Sequence, residues 1–227
     1  RFRVMFLKTF LICILIAVVV GAIAVFNMVR GIIKSAPDIK DIDATPTGYL
    51  STVLDNNENE IATLVASGSN RVYVTIDEIP KNLQHAFVAI EDERFYDHNG
   101  IDLQGILRAG VRGITHGFHF SEGASTITQQ LLKNNVFTGW TSESSFSDKL
   151  ERKLQEQYLA VQLEKSVSKD WILENYLNSI NLGQNTLGVQ SASRRYFNKD
   201  VSELNISESA VIAAITQNPS RYNPVSN

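Results

Sequence analysis

Three blocks of this sequence gather residue types that chemistry uses. The first is Glu91-Asp92-Glu93-Arg94-Phe95-Tyr96-Asp97-His98-Asn99-Gly100. The second runs Gly123-Ala124-Ser125-Thr126-Ile127-Thr128-Gln129-Gln130-Leu131-Leu132-Lys133, and the third is Arg152-Lys153-Leu154-Gln155-Glu156. Carboxylates such as Glu91 and Glu156, flanked by cations and amides, are what chemistry at a sugar's anomeric carbon needs. The plain alternative for Glu91 is a solvated acidic helix end. Two features count against it. Clustered acids at a helix C-terminus oppose the macrodipole. Phe95, His98 and Gly100 follow at once, so the acids abut a packed turn. Partial burial beside a like charge such as Asp92 is an environment that suits an acid or base working near neutral pH. For Arg152 and Glu156 the plain alternative is a simple i,i+4 ion pair, a contribution of a few tenths of a kcal/mol.

These blocks must be carried by regular elements. After Pro80, Leu83, Ala86, Phe87 and Ile90 recur at helical spacing and lead to Glu91. Asp102 can cap a helix whose apolar face is Leu103, Ile106, Leu107 and Val111, with Arg108 and Arg112 one turn apart. The glycines of 113–123 predict a loop carrying Phe118 and Phe120, and helix resumes near Ser125. Gly139 to Ser147 is polar and predicts a second loop. From about Asp148 to Lys165, Leu150, Leu154, Tyr158 and Val161 form one stripe, with Leu159 and Leu163 roughly opposite. Apolar residues on two sides predict a central helix, and Arg152 and Glu156 fall on its second stripe, toward the interior or a cleft. Ser168 can cap the next helix, and 188–197 and 207–216 read as further helices. Short β-prone runs at Tyr49–Leu54, Ile61–Val65 and Arg71–Ile76 predict a small strand element.

Thr9 to Phe26 contains no charge and predicts an uncleaved membrane span rather than a signal peptide, since apolar residues continue past the weak candidate cleavage site at Gly21–Ala24. Arg1, Arg3 and Lys8 precede the span and Arg30 and Lys34 follow it, a slight bias toward a cytoplasmic N-terminus. Residues 1–34 thus read as stub and anchor, 35–48 as a stalk, and 49–227 as the working domain. All 24 acidic residues lie at or beyond Asp38, where 16 of the 21 basic residues are also found, leaving a net charge of −8. That excludes nucleic acid as a partner, and any phosphate site must come from local cations. Cys13, the one cysteine, sits in the span, so the domain has neither disulfide nor thiolate metal site. His116 and His119 are too sparse for zinc, and no metal site is expected.

With the blocks Glu91–Gly100, Glu122–Gln130, Arg152–Glu156 and Lys169–Asn178 in order, the sequence resembles the peptidoglycan glycosyltransferase domain of class A penicillin-binding proteins and monofunctional transglycosylases. The resemblance covers roughly Tyr49 to Asn227. It implies a mainly α, lysozyme-like, two-lobed domain with a small membrane-facing lobe and a small N-terminal β element, preceded by one transmembrane helix. It implies polymerisation of lipid II into β-1,4 glycan strands, with inversion and release of undecaprenyl pyrophosphate, on the outer face of the bacterial membrane. Glu91 matches the family's catalytic base and Glu156 its second glutamate, on the donor side. Lys133, Arg108 and Lys153 match or neighbour phosphate-binding cations, with Arg152 beside them. Ser125, Thr128, Gln129 and Gln130 match the polar wall of the cleft. Asp92, Glu174 and Asn178 are expected to brace the fold, and His98 to be a hydrogen-bonded turn residue. No cofactor is required, though a divalent cation is compatible with the chemistry. The implied partners are lipid II, the lipid-linked strand, the membrane, and a C-terminal transpeptidase domain in a longer parent chain.

The sequence also departs from the family's pattern. Many relatives have a short basic loop before the Arg-Lys pair, whereas Thr138 to Ser147 is long and holds no cation. Some carry a lysine near Gln217. Two other functions stay open at this point: a membrane-anchored lysozyme-like enzyme that cleaves glycan, and an inactive scaffold that positions cell-wall partners.

Overall fold

An apolar helix, α1 (Phe2–Ser35), opens the chain. Its 34 residues extend about 51 Å at ~1.5 Å per residue, against a bilayer hydrocarbon core of about 30 Å. The computed structural model describes residues 2–64, 70–115, 123–137, 139–184, 186–219 and 221–225. Among these, α1 is the one helix long and apolar enough to cross a membrane, and its most apolar stretch is wholly unburied. Its C-terminal end docks on the domain. Gln155 Nε2 donates to Ser35 Oγ at 3.1 Å and to the Ile32 carbonyl at 3.4 Å, and Ser35 Oγ donates to Glu151 Oε1 at 3.2 Å. Side chains of the domain thereby satisfy carbonyl groups that a helix end leaves unpaired.

The following segment is no free stalk. Ala44 is buried, Ile39 and Ile42 pack against the core, and Asn135 Nδ2 donates to the Ala44 carbonyl at 2.8 Å. Spaced apolar residues give this stretch a surface to bury that its Pro and charge content conceals. An antiparallel hairpin follows, β1 (Ser51–Leu54) and β2 (Glu60–Leu64). Asp55 Oδ1 accepts from the backbone of Asn57 and Asn59 at 2.7 and 2.8 Å to fix the turn. The predicted third strand does not form beyond a single bridge between Tyr49 and Arg71. Its backbone is met by side chains instead. Asn178 accepts from Val74 N and donates to Val74 O at 3.0 and 2.8 Å, and Glu174 Oε2 accepts from Ile76 N at 2.6 Å. Glu174 and Asn178 therefore brace the fold.

Among the described residues, seven helices build the body: α2 (Lys81–Glu91), α3 (Leu103–Thr115), α4 (Ile127–Asn135), α5 (Phe146–Leu163), α6 (Lys169–Ser179), α7 (Val189–Phe197) and α8 (Ile206–Ile215). Helix α4 packs between α5 and α6, and α2 packs on α8. Phe87, Leu131, Leu132, Leu159, Leu173, Tyr176 and Ile215 meet in one fully buried core. Side-chain caps at Thr126, Ser145, Ser168 and Asn205 start α4, α5, α6 and α8. This is the mainly α, lysozyme-like domain with a small β element and one N-terminal apolar helix.

Two local features set the cleft. Gly100 has φ +89°, and a Cβ there would lie 2.6 Å from the backbone of Ala160 in α5. Its carbonyl accepts from Thr126 Oγ1 at 2.9 Å and Gln129 Nε2 at 3.2 Å, so the turn after the first block is pinned to both α4 and α5. Gly100→Ala should destabilise the domain by roughly 2–4 kcal/mol, from the left-handed backbone and the clash together. Thermal or denaturant unfolding measures it, and a parent-like midpoint would contradict this packing. Helix α3 is the second feature. Leu103 and Leu107 are each 69% exposed, Val111 61% and Ile114 62%, while Gly105 and Gly113 face inward. Its apolar stripe looks outward because the helix turns its small residues to the protein.

Candidate active site

Glu91 is the last residue of α2, where the chain breaks away at Asp92 and leaves the carboxylate over a cleft. Gln130 of α4 donates from Nε2 to Glu91 Oε2 at 2.8 Å. The buried Tyr176 hydroxyl donates to Gln130 Oε1 at 3.4 Å, which turns the amide's N–H side toward the carboxylate. Burial first, then the charges of Glu91 and Asp92, push the Tyr176 phenol well above its usual range, so it stays a donor. Gln217 Nε2 lies 3.5 Å from Glu91 Oε1. It stands where the departure from the family pattern was noted, and here it faces the candidate base.

Asp92 does not serve as the like-charged neighbour that its position suggests. It is buried and turned to the other side, with His98 Nε2 at 2.9 Å from Oδ2 and the Ile127 backbone N–H donating to the same oxygen at 3.0 Å. Asp92 and His98 thus fasten the first block to the start of α4. Adjacent residues on an extended backbone point apart, and the capped N-terminus of α4 claims the buried carboxylate.

Helix α3 is tied to the first block by ion pairs. Arg94 holds Asp102 through Nη2 and Nε at 2.6 and 3.2 Å, and this pairing keeps the Asp102 carboxyl down at about 2. Arg108 Nη1 lies 2.5 Å from Glu93 Oε1, and Arg94 also pairs with Glu93. Arg108 followed by Arg94 holds Glu93 below the ordinary carboxylate range. Arg108 lines the cleft, and it arrives already paired with Glu93.

The cleft is a run of openings. A cavity of about 310 Å³ is lined by Ile90, Glu91, Arg108, Gly123, Ser125, Gln130 and Gln217. Another of about 160 Å³ extends along Glu91–Arg94 and Asp102. A third, of about 360 Å³, lies between α3 and α5 and includes Ser125 and Lys153. Ser125 lines all three, and so links the carboxylate end to the cationic end.

At the cationic end Glu156 is fully buried. It pairs with Arg152, and Lys153 Nζ lies 2.8 Å from its Oε2. Lys153 Nζ also donates to Ser125 Oγ at 3.1 Å. Lys133, from the end of α4, places its Nζ 4.7 Å from the Trp140 ring centre. Burial, followed by the charge of Lys153, lowers the Lys133 ammonium's pKa. Arg152 Nε donates to both oxygens of Glu143, at 2.8 and 2.9 Å. Burial opposes the Arg152 charge, but the bonds to Glu143 and Glu156 outweigh it and raise its pKa.

Among the sequence-predicted residues, Glu91, Arg108, Ser125, Gln130 and Lys153 line these openings. Glu156 and Arg152 sit behind them, and Lys133 lies under Trp140. Thr128 and Gln129 are buried and spend their polar groups on Glu164 and the Gly100 carbonyl. Gln129, though buried, is also among the residues that line the third opening. Residues three and four apart on α4 share a face, so Gln130 and Lys133 lie on one side of it, Gln130 at the first opening and Lys133 under Trp140. Glu143 and Trp140 had no sequence signal beyond a polar loop. Residues His116, Phe118, His119, Phe120 and Glu122 lie outside the described residues. Among the described residues no group of three or more His, Cys, Asp or Glu is placed to hold a metal ion.

Comparison with known proteins adds to this geometry. Residues 57–227 match a family model described as Transglycosylase. The chain is 44% identical over 225 residues to penicillin-binding protein 1A of Clostridium acetobutylicum, covering 97% of this chain and 27% of that protein. It is 42% identical over 224 residues to penicillin-binding protein 1A of Clostridium perfringens, covering 97% of this chain and 32% of that protein. Penicillin-binding protein 1F of Bacillus subtilis is 46% identical over 175 residues, or 77% of this chain and 23% of that protein. The chain thus spans about a quarter to a third of the length of these relatives.

Proposed function

The chain belongs to the transglycosylase family, and from that premise we propose that it polymerises lipid II into β-1,4 glycan strands. Glu91 removes the proton from the 4-hydroxyl of the acceptor's N-acetylglucosamine. That oxygen bonds to the anomeric carbon of the lipid-linked strand as the bond from that carbon to the diphosphate oxygen breaks. An α-linked donor becomes a β-linked product in one in-line displacement, and undecaprenyl pyrophosphate leaves with the electron pair. The task that remains is to stabilise charge growing on the diphosphate. Lys133, Lys153, Arg152 and Arg108 take that part, and Glu156 fixes the positions of two of them. These cations make a cofactor unnecessary, and a divalent cation can supplement them.

The observation that carries this reading is the polarity of the cleft. A carboxylate held by amide donors lies at one end, and cations gather around the buried Glu156 and under Trp140 at the other. A lipid-bound diphosphate donor also accounts for α1. In this proposal α1 crosses the bacterial membrane, the domain stands on its outer face, and the outward apolar stripe of α3 lies in the lipid interface. The relatives' name, penicillin-binding protein, fits a transpeptidase domain acting on the same polymer, and that partner is part of the proposal.

The test is incubation of the detergent-solubilised chain with labelled lipid II, followed by gel separation of the products. A ladder of lengthening glycan supports the reading. Unchanged lipid II, or shortening of preformed glycan, overturns it in favour of a scaffold or a glycan-cleaving enzyme.

A further inference from the structure

The segment from Gly139 to Ser145 lies over the cationic end of the cleft, and it does so through two contacts. Trp140 covers Lys133 at 4.7 Å, and Glu143 takes the Nε edge of Arg152 with both oxygens, at 2.8 and 2.9 Å. The segment's other hydrogen bonds among the described residues are local. Trp140 N donates to Phe137 O at 3.1 Å, Ser142 N and Oγ donate to Gly139 O at 3.1 and 2.8 Å, and Ser145 Oγ caps α5. The segment is therefore fastened to the body largely by the cations that a diphosphate would use.

The charges support the same conclusion. Lys133, Arg152 and Lys153 face Glu143 and Glu156, which leaves one net positive charge. Glu156 is fully buried within α5 and belongs to the framework, whereas Glu143 sits on a surface segment. Removing Glu143 leaves two net positive charges, matching the two negative charges of a diphosphate diester. Lys133 bears a charge that burial disfavours, and an aromatic face shields it more weakly than an anion would.

We propose that Glu143 is an internal competitor for the donor's diphosphate, one that sets donor affinity by occupying Arg152 until the diphosphate displaces it together with Trp140. The proposal rests on the lipid-diphosphate reading of the cleft. It makes Glu143 an affinity-determining residue: the donor must displace it to bind, and its return helps the leaving diphosphate depart.

The test is Glu143→Gln in the full chain, which keeps the side chain's shape and removes its charge. Binding of inorganic pyrophosphate is followed by calorimetry, and KM and kcat for lipid II are followed by polymer formation. The expected result is pyrophosphate binding about three- to thirtyfold tighter and a lower KM. If Glu143 were only a strut for Arg152, its loss would loosen the cation and weaken binding, so unchanged or weaker pyrophosphate affinity overturns the proposal. Displacement is read separately. With Trp171→Phe, Trp140 becomes the only tryptophan. Its emission should shift as pyrophosphate binds, and emission that stays fixed while calorimetry records binding overturns the displacement. Failure of the parent to form polymer would count against the proposed reaction, while the pyrophosphate comparison would still decide the role of Glu143.

Discussion

Glu91→Gln should lower the rate of polymer formation by at least about a hundredfold while leaving the domain folded and able to bind lipid-linked substrate. The substitution suits the site, because an amide oxygen can still accept from Gln130 Nε2 where Glu91 Oε2 does now. What disappears is the group proposed to take the acceptor's proton. The rate effect should therefore fall on kcat, with KM little changed. Near-parent turnover by a folded Glu91→Gln protein would remove Glu91 from the mechanism.

Lys133→Ala should cost about 2–4 kcal/mol of transition-state stabilisation, or roughly thirty- to a thousandfold in kcat/KM. Burial already lowers the pKa of this ammonium, and its contact in the structure is with the Trp140 ring. A desolvated cation with no carboxylate of its own among the described residues gains most when an anion arrives. Its removal breaks no ion pair, so the variant should remain folded. Binding of a phosphoglycolipid inhibitor of the moenomycin type should weaken in parallel. A folded Lys133→Ala protein that polymerises and binds the inhibitor like the parent would put the diphosphate elsewhere.

Much of this site was legible in the sequence because it is written in helical spacing. Glu91 at the end of an amphipathic run, Glu156 on the inner stripe of α5 and Ser168 as a cap each follow from periodicity and end chemistry. Contacts made across turns were not legible. Asp92 is adjacent to Glu91 in sequence, but the N-terminus of α4, 35 residues away, claims its carboxylate. Thr128 and Gln129 share a motif with Gln130, yet the helix turns them inward. The run Arg71–Ile76 has strand composition, but α6 side chains replace the neighbouring strand. Composition reports what a segment prefers, and here the partner decided. Glu143 is the clearest case, since nothing in a polar loop announces that one carboxylate in it closes on Arg152.

The docking of α1 on α5 bears on how the protein would work. Gln155 and Ser35 join the end of the apolar helix to the helix that carries Arg152, Lys153 and Glu156. Residues 35–48 then fold back on the domain, leaving no slack tether between membrane and cleft. A protein on a loose leash searches a volume, whereas one on a stiff post searches a plane. Lipid-linked substrates diffuse in that same plane, so each encounter would begin at the correct height and tilt. The product is then the part that must travel. Under the proposed reaction, the enzyme would stay level as the strand lengthens, and the glycan would be pushed away from a fixed altitude above the lipid.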